Sequence, residues 1–226
     1  GGRCIAWKLP TTHDNPARAV ARGIAEACAL AGLDPALFGL APGAAAAAYP
    51  AFSRVYPDGF AAGDVTGGPG FVYVSALGGG IAAQAALSEP SGEAPIAIDL
   101  AATPRVIFTD PQVAAVGMTE EEARAAGLMP KVTSMPVEYL PRAVVSQRRR
   151  GVIKLVADAG SDRLLGAHIV APNAGDIIGE AVLAVRFGLR VQEVVSTMHP
   201  YLTWAEGIKL AGQTFTKDVA KLSCCA

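Results

Sequence analysis

The chain predicts an α+β fold, and three features of its second half carry that expectation. Thr119-Glu120-Glu121-Glu122 has the form of a helix capping box. Gly151–Ala157 and Leu164–Ala171 are two β-rich runs joined by a polar turn with the sequence Gly-Ser-Asp. Ala174–Phe187 then returns to helical periodicity. Neighbouring strands followed by helices, without regular strand–helix alternation, imply a mixed or antiparallel sheet with helices banked on one side and a broad apolar face.

The elements follow in order. Asn15-Pro16 supplies a cap and a first-turn proline for a helix over Ala17–Ala31, whose apolar positions Val20, Ile24 and Ala27 recur at helical spacing before Gly32 stops it. Leu33–Pro57, rich in proline and glycine and holding the alanine run Ala44–Ala48, reads as irregular connection. Gly59-Phe60-Ala61-Ala62-Gly63-Asp64 reads as a short buried strand, followed by the turn Thr66-Gly67-Gly68-Pro69-Gly70 and a helix from about Phe71 to Leu87. The capped helix should end near Gly127, and Arg148-Arg149-Arg150 should be a solvated turn ahead of the next strand. A last helix begins near Thr203 and runs to Phe215, with Ile208, Leu210, Ala211 and Phe215 as its apolar positions.

Composition excludes several function classes. With 226 residues, 51% of them hydrophobic and 17% charged, the chain can bury a substantial core in one or two domains. A net charge of −1 and a pI near 6.3 supply no field for nucleic acid or an anionic membrane. No apolar run reaches the roughly 18 residues of a spanning helix, and the start has no signal-peptide pattern, so a cytoplasmic protein is expected. The opening Gly1-Gly2 reads as that of a fragment or a processed product.

Chemistry concentrates at the end of the chain, where Cys224 and Cys225 adjoin on a short polar tail. Neighbouring Cα atoms lie about 3.8 Å apart, below the usual disulfide window of about 4.4–6.8 Å. Such a pair is poorly placed to cross-link itself and well placed to share a soft cation. Frayed, functionless thiols remain the plain alternative for these two residues, and Cys4, Cys28 and His13 show no ligand-like spacing. Upstream, Gly63 would let a ligand approach the backbone, and Asp64 could accept hydrogen bonds from sugar-like hydroxyls, as in a dinucleotide site. The same pattern also occurs as simple structural punctuation.

The run Arg105–Gly117, which contains Phe108-Thr109-Asp110-Pro111, resembles the opening of the interface domain of flavoprotein disulfide reductases. Ala61-Ala62-Gly63-Asp64, Pro141-Arg142-Ala143, Pro200-Tyr201-Leu202-Thr203 and the terminal cysteines extend the resemblance to the mercuric reductase family, over about Gly59 to Ala226. It implies three parts: a leader at 1–58, the C-terminal piece of an FAD-binding domain at 59–98, and a dimerisation domain with its Cys-Cys tail at 99–226. It also implies a homodimer that reduces Hg(II) with NADPH through FAD. In that scheme Cys224 and Cys225 of one subunit deliver the ion to a dithiol of the other, by exchange between partly ionised thiols.

The remaining roles are assigned from the same resemblance. Tyr201 would sit near the ion, contacting it or fixing a thiolate by hydrogen bonding, or else is a half-buried aromatic. Asp64 would hold the ribityl chain of FAD, with Gly63 giving it room. In thiol-disulfide members of the wider family a histidine before proline pairs with a glutamate five residues on as acid and base, which makes His199 and Glu206 candidates. Here seven residues separate them, because Tyr201 and Leu202 enlarge the loop. His168 reads as a strand surface residue.

Two absences bound these expectations. The 226 residues hold no Gly-x-Gly-x-x-Gly after a strand and no Cys-x-x-x-x-Cys, so this chain alone should not reduce mercury. The rival readings are a dimerising module that binds soft metal without catalysis, and a fragment of a reductase acting on a thiol substrate.

Overall fold

The computed structural model of the chain describes residues 61–66, 68–87, 98–219 and 222. The helix expected over Ala17–Ala31, together with Cys4, His13, Cys28, Gly59, Phe60, Cys224 and Cys225, lies outside the described residues. Two compact units meet in sequence between Ile98 and Asp99, and each has its own architecture.

In the first unit Ala61 and Ala62 are in no strand, which corrects the expectation of one ending at Asp64. Gly63 turns the chain at φ +86°, and its carbonyl oxygen accepts from the Thr66 N–H at 2.9 Å and the Thr66 hydroxyl at 2.8 Å. A strand would need that oxygen for a ladder, and the turn has taken it. A single 3-10 turn, Asp64–Thr66, results. Helix α1, Val72–Leu87, follows.

The second unit is a five-stranded sheet with helices. It opens on a hairpin, β1 (Arg105–Ile107) and β2 (Gln112–Gly117), joined through a cis Asp110–Pro111 bond. Helix α2 (Glu120–Ala125) leads to β3 (Pro130–Pro136), a strand the sequence reading did not single out. A 3-10 turn at Val137–Tyr139 enters α3 (Pro141–Val145), so the turn expected at Pro141-Arg142-Ala143 is one turn of helix, with proline where its missing N–H costs nothing. Strands β4 (Val152–Asp158) and β5 (Leu164–Ala171) form the second hairpin. The chain closes with α4 (Ala174–Arg186), α5 (Val191–Ser196) and α6 (Glu206–Gln213).

Strand order is β1-β2-β5-β4-β3, and every pairing is antiparallel. Alternation along the strands builds one inward face: Ala114 opposite Ile169, Val116 opposite Ala167, Ile153 opposite Ile169 and Leu155 opposite Ala167, all buried. Helices α4 and α6 cover that face with Ala174, Ile177, Ile178, Ala181 and Ala184 from the first and Ile208, Leu210 and Ala211 from the second. On α4 their spacing of three and four residues makes an apolar stripe, and the burial of both sets holds the two helices on the sheet. The capping box is formed as expected: Thr119 Oγ1 accepts from the Glu122 N–H at 3.2 Å, and the Thr119 N–H donates to Glu122 Oε2 at 2.7 Å. That donation from Thr119 holds the Glu122 carboxyl below its ordinary range. No helix among the described residues is long and apolar enough to cross a membrane.

Candidate functional site

The residues singled out near the C-terminus sit on the loop between α5 and α6. Helix α5 ends where Thr197 leaves helical geometry while its hydroxyl still donates to the Glu193 carbonyl oxygen at 2.9 Å. Met198 then projects into solvent, His199 turns inward, and Tyr201 is 60% exposed. Leu202 adopts a left-handed φ of +60°, which a non-glycine residue takes only at some cost. Thr203 closes the loop, donating its hydroxyl to the Pro200 carbonyl oxygen at 2.8 Å and accepting from the Glu206 N–H at 3.3 Å. That last bond satisfies an N–H at the start of α6 that would otherwise lack a partner.

His199 and Glu206, the candidate acid–base residues, are not hydrogen-bonded to each other. The His199 side chain is 5% exposed, and its Nε2 lies 2.7 Å from Oε1 of Glu180, on α4. Its Nδ1 lies 2.9 Å from the Thr197 carbonyl oxygen. Glu206 instead turns into the core at 3% exposure, and its Oε2 meets no hydrogen-bond partner. Burial pushes its carboxyl above the usual range, although the Leu202 backbone N–H, Lys209 and His199 all favour the charged form. Glu206 thus opens α6 while the histidine faces α4. Glu180 had no local sequence signal, because its partner lies 19 residues away.

The other candidates fall as follows. His168, on β5, is half-buried with Nε2 3.1 Å from the Met118 carbonyl oxygen. Arg148, Arg149 and Arg150 are exposed ahead of β4, and Arg148 pairs with Asp110. Among the described residues no cluster of three or more His, Cys, Asp or Glu side chains is arranged to hold a metal.

Asp64, in the first unit, is exposed at the start of its turn. A Cβ on Gly70 would lie 3.4 Å from Asp64 Oδ1, and one on Gly63 would lie 3.1 Å from Ser75 Oγ. Gly70 leaves room beside the carboxylate, whose oxygens could accept from the hydroxyls of a polyol such as the ribityl chain of FAD, while Gly63 leaves room beside Ser75. These residues fit that part of a flavin. No other portion of a dinucleotide site is present among them.

Comparison with known proteins bears on this arrangement. Residues 103–211 match the model for the pyridine nucleotide-disulphide oxidoreductase dimerisation domain. The chain is 52% identical to a mercuric reductase of Bacillus cereus over 174 residues, 77% of this chain and 26% of that protein. It is 53% identical to one of Lysinibacillus sphaericus over 167 residues, 74% of this chain and 30% of that protein. The chain thus spans about a quarter to a third of the length of the curated relatives it matches. Among solved structures, LpdA of Mycobacterium tuberculosis superposes with a TM-score of 0.61 at 29% identity, covering 69% of this chain and 33% of that one. The HOCl-induced flavoprotein disulfide reductase RclA of Escherichia coli gives 0.61 at 30% identity, over 69% of this chain and 35% of that one. Residues 103–211, which form the antiparallel sheet, its two covering helices and the Pro200-Tyr201-Leu202-Thr203 loop, thus match the dimerisation domain of pyridine nucleotide-disulphide oxidoreductases, in a chain similar across about three quarters of its length to mercuric reductases.

Proposed function

We propose that this chain serves a flavoprotein that reduces Hg(II) to elemental mercury with NADPH, supplying its subunit interface and its ion-capturing thiols. The observation that carries the reading is the joining of a dimerisation domain, about half identical to those of mercuric reductases, to the vicinal pair Cys224 and Cys225. Two thiolates on adjacent residues bind a soft cation and release it to other thiols by exchange. NADPH and FAD, when bound, would supply the two electrons. Within these 226 residues the share of the work is capture, delivery and assembly, with Asp64 as the acceptor for flavin hydroxyls and Gly63 giving it room.

A homodimer is part of the reading. Leu183 on α4 and Phe187 at its C-cap, four residues apart, are 56% and 68% exposed, and Glu180 lies on the same helix face. Through the Glu180–His199 contact that face adjoins the loop bearing the exposed Met198 and Tyr201. Apolar side chains gathered in this way mark a surface that another protein covers. Tyr201, exposed on that loop, is the phenol that in this reading would contact the ion or fix a thiolate by hydrogen bonding. Free thiols suit a reducing, cytoplasmic setting.

The test is the amount of mercuric ion retained after desalting, for the chain and for a Cys224→Ala, Cys225→Ala double variant. Loss of about one ion per chain in the variant is expected, from one soft cation shared by two thiolates. Equal retention by both would sink the proposal.

A further inference from the structure

A cavity of about 460 Å³ opens where α5 and α6 meet the β3 edge of the sheet, and none of its lining residues belongs to the Pro200–Thr203 loop. That size lies within the roughly 300–1,000 Å³ of small-molecule clefts. Gly212 lets the two helices close on each other beside it: a Cβ there would lie 2.7 Å from Val195 Cγ2 and 3.6 Å from Val191 Cγ1. Val191, Val195 and the Phe215 ring give the cavity an apolar wall. The rest of the lining is polar. Lys131, on β3, places Nζ 2.5 Å from Asp162 Oδ1 and 5.2 Å from the Phe215 ring centroid. Asp162 Oδ2 in turn accepts from the Gln192 N–H at 3.2 Å. That ion pair is therefore engaged within the wall itself.

Lys209, on α6, and Lys217, just beyond it, line the same cavity and form no ion pair among the described residues. The enclosed Glu206 carboxyl feels the Lys209 charge without bridging to it. Three lysines thus meet one carboxylate in the lining, a surplus of two positive charges in a chain whose net charge is −1. Low-dielectric walls concentrate such a field. Gln213, 5% exposed, adds an amide to the same lining. We infer that this cavity is a binding site for a small organic anion, a carboxylate or phosphate head group carried on an apolar ring, with Lys209 and Lys217 on the head group and Val195 and Phe215 against the ring. Ammonium groups on flexible stems close on a single anionic head group as point charges, where a guanidinium would demand a bidentate fit. An inorganic anion would leave the apolar wall uncovered, and a neutral ring would leave the two charges unanswered. The inference goes beyond ion capture by the thiols and draws on none of the residues assigned to it.

The experiment is an NMR titration of the isotope-labelled full chain, without mercury or flavin, with benzoate, phenyl phosphate, phenol and inorganic phosphate in turn. Backbone amide shifts give each Kd and the place of binding. At least one aromatic anion should bind with shifts centred on Gly212, Gln213 and Phe215, and the tighter of the two identifies the head group. Phenol and inorganic phosphate should each bind about tenfold more weakly, since each lacks half of the recognition. A Lys209→Gln, Lys217→Gln double variant should weaken the aromatic anion by about tenfold or more, while Lys154→Gln, on β4 outside the cavity, should leave it unchanged. Phenol or inorganic phosphate binding as tightly as the aromatic anions would overturn the inference on the unmodified chain alone, whether or not the variant folds. Failure of both aromatic anions to bind, shifts centred elsewhere, or full affinity in the double variant would overturn it as well. None of these results touches the mercury proposal, whose own test reads ion retention.

Discussion

Two glycines with nearly the same backbone angle provide a controlled test of how the sheet is held. Gly117, at the end of β2, has φ +71°, and Gly127, just beyond α2, has φ +78°. Alanine at either site incurs the left-handed penalty of about 1–2 kcal/mol, partly offset by about 0.4–1 kcal/mol from the stiffer unfolded chain. Beyond that the sites differ in one respect. A Cβ on Gly127 meets nothing within 4 Å, whereas a Cβ on Gly117 would lie 2.2 Å from the Leu165 carbonyl oxygen. A comfortable carbon–oxygen contact is about 3.3 Å, so the strands must part by roughly 1 Å. The same oxygen accepts from the Met118 N–H at 2.9 Å, and that bond would stretch or break, at a cost of about 1–3 kcal/mol. Overpacking adds a comparable amount. Gly117→Ala should therefore lose about 3 kcal/mol or more, and Gly127→Ala about 1 kcal/mol or less. Urea unfolding followed by the fluorescence of Trp204, which packs against the core, measures both. Equal losses would refute the reasoning, because only the collision separates the two sites.

Two further outcomes follow from the same structure. Thr119→Ala removes one half of the capping box and should cost about 1 kcal/mol, read as a lower urea midpoint with an unchanged slope; a midpoint within error of the unmodified chain would mean the box contributes nothing. Glu206→Gln tests the enclosed carboxyl. Because burial raises its pKa above the ordinary 4.5, its contribution to stability is fully present below that value and is lost as pH rises through the folded one. Glu122 and Asp158, whose carboxyls are lowered chiefly by hydrogen bonds from Thr119 and Ser161, work in the opposite sense and lose their contribution as pH falls. The difference between the unmodified chain and Glu206→Gln isolates the first effect: the variant should gain relative stability from pH 4.5 upward. Parallel pH profiles of the urea midpoint would show that Glu206 ionises in the fold as freely as in the unfolded chain.

Local chemistry made much of this protein legible in its sequence. The Thr119 box, the β-rich runs around the Gly-Ser-Asp turn and the apolar spacing of α4 and α6 are patterns within a few residues, and each forms an element close to where it was expected. Strand β3 escaped notice because prolines stand at both of its ends, where they read as breakers although the end of an edge strand tolerates them. The strand expected to end at Asp64 is missing at the described Ala61 and Ala62 for the converse reason: a short apolar run has no strand character of its own, and the Gly63 carbonyl found a turn instead.

Residue types therefore determined the α+β class and the groups that the proposed function draws on, thiols at Cys224 and Cys225 and a carboxylate at Asp64, because thiols, carboxylates and hydrophobic periods carry their properties with them. Tertiary structure alone decided the partner and the burial of each group around the Pro200–Thr203 loop. Whether His199 faces Glu180 or Glu206, and which carboxyl is enclosed, depends on the way α4 and α6 pack against one sheet. Protonation answers to distances of a few ångströms and to access of water, and neither is encoded in the spacing of residues along the chain.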